Sequence, residues 1–264
     1  MTALALSACA LAALCITFGL VFLFARRIDN YGIVDIAWSY AFAALAVSYA
    51  ILGGGLAIRR AAIAAMAALC SARLGTHLLV RIARKHPVED GRYQQLRKDW
   101  GSRFGAKMAG FFQLQALSVV FLGIPFLASC TDPAPGLRPI EWCACGLWTL
   151  AILGETLADS QLSRFKSDNS NSGKVCDVGL WRYSRHPNYF FEWVIWVSYF
   201  LFGCLSPLGW IGVLSPAAIL FLLLRVTGIP ATEEQSIRSK GAAYLDYQRR
   251  TSAFVPLPRR NPLP

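Results

Sequence analysis

Asn188 and Glu192 stand four residues apart in the run Gly179-Leu-Trp-Arg-Tyr-Ser-Arg-His-Pro-Asn-Tyr-Phe-Phe-Glu-Trp193. That spacing puts an amide and a carboxylate on one face of a helix. Arg182, Arg185 and His186 come just ahead of Pro187, a residue that suits a first helical turn because its missing N–H costs nothing there. The residues from Trp193 to Gly203 are almost wholly apolar. A carboxylate at membrane depth is expensive to keep, and such groups usually line a ligand or ion site. The competing use of this stretch is a positively charged anchor whose arginines snorkel to a lipid interface.

Other polar pairs recur at the same spacing. Asp35 and Ser39 share a helical face, with Trp38 and Tyr40 beside them. They fit either a functional carboxylate or an interfacial cap with an aromatic belt. Arg73 and His77 lie four apart inside the apolar run Leu69–Val80. Two potential cations on one face should border a polar cavity and suit an anionic ligand, or else pair with Asp35, Glu155 or Glu192. Glu155 and Asp159 form a further pair at the end of an apolar run. Residues 81–110 hold eight cations, with Arg92 and Arg97 near Tyr93. This stretch reads as a phosphate surface or as an amphipathic helix on the headgroups. Tyr244, Tyr247, Arg249 and Arg250 have the makings of an aromatic and basic lid over a polar ligand.

The elements that must position these groups follow from composition. The 264 residues are 55% hydrophobic and 16% charged, with mean hydropathy +0.44, unlike an ordinary soluble domain. Seven apolar runs approach the length of a bilayer crossing: Ala3–Phe24, Ile33–Leu52, Ile58–Val80, Phe111–Ser129, Ile140–Ala158, Asn188–Cys204 and Leu208–Gly228. The expected fold is an all-α polytopic bundle of about seven transmembrane helices forming a single integral-membrane domain over 1–264. Loop Lys and Arg residues divide 21 against 3 between the two faces, which makes the richer face cytoplasmic and sets the N-terminus outside. Arg26 and Arg27 follow the first span and no basic segment precedes it, as in a retained anchor rather than a signal peptide.

The net charge of +11 is explained by cations hugging span ends, so no nucleic-acid partner is expected. The eight cysteines lie mostly within apolar runs and show no C-x-x-C spacing, so no metal is expected. There is no G-x-G-x-x-G, Walker lysine motif or G-x-S-x-G. A nucleotide would therefore be held among helices.

The run from Gly179 to Trp193 resembles the signature of the bacterial membrane branch of the steroid 5α-reductase family. Its superfamily also includes sterol C14- and C7-reductases and isoprenylcysteine carboxyl methyltransferases. The resemblance is strongest over 154–256 and is more specific to superfamily than to reaction. It implies an NADPH-binding half over 140–264 and a lipid-substrate side over 1–130. Glu155 and Asp159 would line the cofactor cavity, and Lys166 would lie near the cofactor phosphates. Trp181 and Tyr183 would pack on the nucleotide, with Arg185 and His186 alongside, and Asn188 and Glu192 would hold the nicotinamide amide. Arg225, Glu233, Glu234, Tyr244, Tyr247 and Arg249 would form the closing segment, with Arg73 as a further cation for the cofactor. The chain departs from the animal enzymes by offering Trp38-Ser39 near their Gln-Glu pair and no Tyr in its third span. Asp35, Tyr40 or His77 would then polarise the substrate carbonyl.

The expected activity is NADPH-dependent hydride transfer to the C=C bond of a 3-oxo-Δ4 steroid or similar enone lipid. The alternative is methyl transfer from S-adenosylmethionine to a prenylcysteine or lipid amine. The protein should be a monomer within the bilayer, in the inner membrane of a prokaryote or the endoplasmic reticulum of a eukaryote.

Overall fold

A computed structural model describes residues 2–259, and every regular element among them is a helix. The chain is an all-α polytopic membrane bundle. Six helical runs are long and apolar enough to cross a membrane: Ala3–Arg27, Ile33–Leu52, Ala57–Lys85, Gly91–Leu122, Pro139–Ser167 and Gly209–Lys240. The other expected span is the 17-residue helix Pro187–Gly203. At 1.5 Å per residue it covers about 26 Å, slightly less than a ~30 Å hydrocarbon core. The chain forms two compact units, one running through Pro139 and including Phe202–Gly212, the other comprising Ile140–Leu201 and the chain from Val213 onward.

In the first unit, α1 (Ala3–Arg27) turns into α2 (Ile33–Leu52) through Asp29, whose φ is 51°. The Asn30 side chain accepts the Gly32 amide there at 3.1 Å. α2 packs along α3 (Ala57–Lys85), and Gly75 lets the Tyr40 ring lie on the α3 backbone, since a Cβ there would come 2.7 Å from the ring. The turn between α2 and α3 is glycine-bound for a similar reason. A Cβ on Gly53 or Gly55 would come 2.4 or 2.6 Å from the Cys130 carbonyl oxygen.

Arg59 lies under that turn, completely buried. It donates to the carbonyls of Asp132 (3.1 Å), Ala134 (2.9 Å) and Gly136 (2.6 Å), with the Asp132 carboxylate 3.9 Å away. Arg138 adds a second guanidinium to Asp132 at 2.8 Å. Burial pulls the Asp132 carboxyl upward, but the hydrogen bonds from the Ala134 amide and Arg138 outweigh it and lower its pKa. Such full pairing is what makes a buried charge tolerable.

The fourth expected span, Phe111–Ser129, is corrected in its limits. The helix is α5 (Phe104–Leu122), and α6 (Ile124–Thr131) follows a break at Gly123. A Cβ at Gly123 would meet Leu45 at 2.4 Å, and Pro125 opens the next helix. Ahead of α5 runs α4 (Gly91–Trp100), capped by Asp90, which accepts the Arg92 amide at 3.1 Å. Its two arginines are engaged within the fold. Arg92 pairs with Asp35 at 2.6 Å, and Arg97 pairs with Glu89 at 2.7 Å and Asp29 at 2.6 Å while lying over the Tyr31 and Phe104 rings.

In the second unit, α7 (Pro139–Ser167) meets α8 (Pro187–Gly203) at Gly154, where a Cβ would come 2.5 Å from the Phe191 ring. After α9 (Leu214–Phe221) the helix widens into a π-turn over Leu222–Val226 and stops at Gly228. The apolar crossing ends there. Two polar helices follow, α10 (Ile229–Lys240) and α11 (Ala242–Arg250), separated by Gly241 at φ 54°.

Candidate ligand site

The loop 177–186 carries most of the signature, and the C-terminal segment ties it down. Arg185 N–H donates to the Ser252 carbonyl at 2.8 Å, and Leu257 N–H donates to the Tyr183 carbonyl at 3.0 Å. The Ser184 hydroxyl donates to the Phe254 carbonyl at 2.8 Å. Tyr247 donates its buried hydroxyl to the Trp181 carbonyl. The Trp181 indole N–H reaches back to the Ala158 carbonyl of α7 at 2.9 Å. Phe254 closes over α8, with ring centroids 5.7 Å from Phe190 and 5.9 Å from Trp193. Gly179 starts the loop at φ 57°, in the left-handed region that favours glycine.

Glu233 on α10 is the centre of this clasp. It accepts from Arg185 Nε at 2.6 Å and from Gln248 Nε2 at 2.8 Å, and it lies 3.2 Å from His186 Nε2. Arg185 also donates to the carbonyls of Gln248 (3.0 Å) and Thr251 (2.5 Å). The buried His186 ring stacks on Tyr189 with centroids 5.3 Å apart. Burial pulls the Glu233 carboxyl up, but the hydrogen bonds from His186 and Arg185 outweigh it and hold the pKa at about 2.

One turn into α8 the polar groups are differently disposed. Asn188 donates its amide N–H to Asp159 Oδ1 at 3.2 Å, while its own Oδ1 is buried with no hydrogen-bond partner among the described residues. Glu192, half-buried, lies one turn further along α8, and Glu155, buried, one turn back along α7. The second unit thus gathers three carboxylates and an amide oxygen on two packed helices, an acceptor-rich set suited to a ligand that brings N–H donors or positive charge.

The other expected residues divide by unit. In the first, Asp35 accepts from Arg92 through Oδ2 and from the Tyr93 hydroxyl through Oδ1 (2.9 Å), so both of its oxygens are engaged. The Tyr40 hydroxyl shares a hydrogen bond with Thr76 at 2.9 Å, and its side of α2 is partly exposed. Arg73 is half-buried and His77 exposed. In the second, Lys166, Tyr183, Arg225 and Arg249 are exposed, whereas Trp181, Tyr244 and Tyr247 are buried. Glu234 pairs with Arg238 at 2.7 Å on the surface of α10. Arg185, His186 and Glu233 are therefore joined to one another, and Tyr247 ties the C-terminal segment to the carbonyls of Trp181 and Ser184.

Sequence reasoning missed Ser184, Tyr189, Gln248 and Thr251 in the clasp, and Tyr93 beside Asp35. Their only signal was membership of stretches already singled out. Gln161 was also missed; its side-chain oxygen accepts the Leu180 amide at 2.9 Å and fixes the start of the loop.

An uncharacterized protein of Schizosaccharomyces pombe is 28% identical over 236 residues, covering 78% of this chain. The match covers 66% of that relative, so this chain spans just under two thirds of its length. No solved structure matches. A family model described as a protein of unknown function, DUF1295, matches residues 21–251, a stretch that takes in the α4–Asp35 contacts, the Asn188 helix and the Glu233 clasp. The chain belongs to the DUF1295 family.

Proposed function

We propose that this protein is an integral-membrane reductase that takes NADPH and reduces the C=C bond of an enone lipid such as a 3-oxo-Δ4 steroid. In this reading its N-terminus lies outside and its C-terminus on the cytoplasmic side. The observation that carries the proposal is the buried Oδ1 of Asn188, which has no partner among the described residues and is set beside Asp159 and one turn from Glu192. An acceptor left unsatisfied in this way costs about 1–3 kcal/mol. A carboxamide NH2, such as that of nicotinamide, would remove the cost. The donor chemistry therefore fits the cofactor that the resemblance implies.

Bound NADPH would supply the hydride. Asn188, Asp159 and Glu192 would orient the ring through its amide. Lys166, Arg225 and Arg249 are exposed cations available to the phosphates. The Glu233 clasp would hold the loop against α7 and keep water from the reacting face. A donor is needed at the substrate oxygen, where enolate charge develops. Asp35 already accepts from Arg92 and Tyr93 and is set aside for that role. A second reading, methyl transfer from S-adenosylmethionine, draws support from the same acceptor-rich set, because carboxylates also suit a sulfonium.

Thermal stabilisation of the purified protein in mild detergent separates the two, since a ligand that binds only the folded state raises its stability according to concentration over Kd. The reductase reading expects a shift with NADPH that Asn188→Ala reduces. A shift with S-adenosylmethionine alone would overturn it in favour of methyl transfer.

A further inference from the structure

The stretch from α4 to the first turns of α5 carries the cations Arg92, Arg97, Lys98, Arg103 and Lys107. Arg92 and Arg97 are engaged by carboxylates of the same unit. Lys98, Arg103 and Lys107 are exposed, and among the described residues none of them forms an ion pair. Asp99, the carboxylate nearest in the chain, accepts from Gln95 at 2.8 Å. Lys107 is nonetheless held in place. Its ammonium lies 5.5 Å from the centroid of the half-buried Trp100 ring, and that ring lies 6.1 Å from Phe104. The Arg97 guanidinium covers Phe104 at 4.8 Å and is itself tied to Glu89 and Asp29. The series Arg97, Phe104, Trp100, Lys107 thus sets an exposed ammonium on a support anchored inside the fold. The indole face occupies one side of that ammonium and leaves N–H donors on the other. A cation that served topology alone would need only its place near a span end, with no such support.

Lys107 is also the last charged residue before the apolar run that begins at Met108. On α5 the residues Lys107, Gly110, Leu114, Leu117 and Phe121 follow one another at helical spacing on one face. All of them are exposed, and a Cβ on Gly110 would meet nothing within 4 Å. From Lys107 to Leu117 that face runs about 15 Å, half of a ~30 Å hydrocarbon core and hence the depth of one leaflet. Arg103 stands one turn ahead of Lys107, at the N-cap of α5. We propose that Lys107, with Trp100 and Arg103, binds the phosphate of an anionic phospholipid whose acyl chain lies along this face of α5. The occupant is a lipid because an open apolar face of leaflet depth continues directly from the fixed cation.

The test is thermal stabilisation of detergent-purified protein at low ionic strength, where exposed charges are least screened. The probes are dioctanoyl phosphatidylglycerol, dioctanoyl phosphatidylcholine and inorganic phosphate. Phosphatidylglycerol should stabilise the protein at a concentration about tenfold below that of phosphatidylcholine. Lys107→Gln should raise the phosphatidylglycerol concentration required about tenfold. Trp100→Leu should raise it about threefold by removing the support of the ammonium, and Lys107→Arg should retain most of the response. Arg84→Gln takes away an exposed cation at the end of α3 and should leave the response unchanged. The proposal is overturned if phosphatidylcholine serves as well as phosphatidylglycerol, or if Lys107→Gln responds as the parent does. It is equally overturned if Arg84→Gln weakens the response as much as Lys107→Gln, because the attraction would then be diffuse. Stabilisation by inorganic phosphate at the same concentration as the lipid would show that the acyl chain plays no part, and would overturn the assignment to a lipid.

Discussion

Replacing Glu233 by Gln keeps the shape of the side chain and removes its charge. Arg185 and Glu233 are only 10% and 15% exposed, at a separation of 2.6 Å. Breaking a fully buried pair costs about 3–5 kcal/mol, and an exposed one contributes about 0–1 kcal/mol. Arg185 keeps the Gln248 and Thr251 carbonyls as acceptors, and the new amide oxygen can still accept. The expected cost is therefore about 2 kcal/mol, between those limits. It should fall on the clasp, where two tertiary amide bonds report it: Arg185 N–H to Ser252 and Leu257 N–H to Tyr183. Hydrogen exchange of those two amides should quicken about 30-fold, the equivalent of 2 kcal/mol, while amides in α2 keep their parental rates. Unchanged exchange at Arg185 and Leu257 would refute the argument, and so would equal acceleration throughout the chain, because the clasp would then have no local stability of its own.

The same carboxylate sets a pH dependence. Its ordinary value of 4.5 is lowered to about 2 in the fold. A depressed carboxyl contributes stability that is complete above the unfolded value and lost as pH falls toward the folded one. Protection of the Leu257 amide, corrected for intrinsic exchange, should be flat from neutrality down to about pH 5 and decline below it. Arg59→Met should lower thermal stability strongly, by about 3 kcal/mol or more, because Asp132 would lose a buried charge partner and three carbonyls their donor. A half-life at elevated temperature within a factor of two of the parent would contradict it. Tyr93→Phe should cost about 1–2 kcal/mol by leaving Asp35 Oδ1 without its donor. Arg92→Ala should cost less, about 1 kcal/mol at most, since the Arg92 side chain is 48% exposed. Thermal unfolding of both variants checks that order.

Helix identity and approximate span limits were legible because apolar runs of membrane length leave few other folds open. Limits failed where a local clash decided them. Gly123 against Leu45 cannot be seen in a hydropathy profile, and it moved the fourth span toward the N-terminus. The signature loop was found from its residue types, and its division of labour was not. Arg185, His186 and Asn188 look alike as polar groups beside Pro187. Only the partners supplied by α10 and the C-terminal segment show that the first two are engaged with Glu233, while the Asn188 amide oxygen has no partner among the described residues. Arg92 and Arg97 read as a phosphate surface because a sequence shows cations without the carboxylates that Asp29, Asp35 and Glu89 bring from elsewhere in the chain.

The bonds that fasten the signature loop to the C-terminal segment join residues 63 to 82 positions apart: Tyr247 to Ser184, Arg185 to Thr251, Ser184 to Phe254 and Asp177 to Arg259. During synthesis the loop leaves the ribosome well before its fasteners exist. Closing so long an intervening segment is entropically costly and must await the last helices. The loop therefore matures at the end of biogenesis, after the crossings that precede it have been made. Until then Arg185 and His186 lack the Glu233 carboxylate, and the helix bearing Asn188 lacks its Phe254 cover. A chain halted before residue 251 would carry all the signature residues in a segment still waiting to be closed.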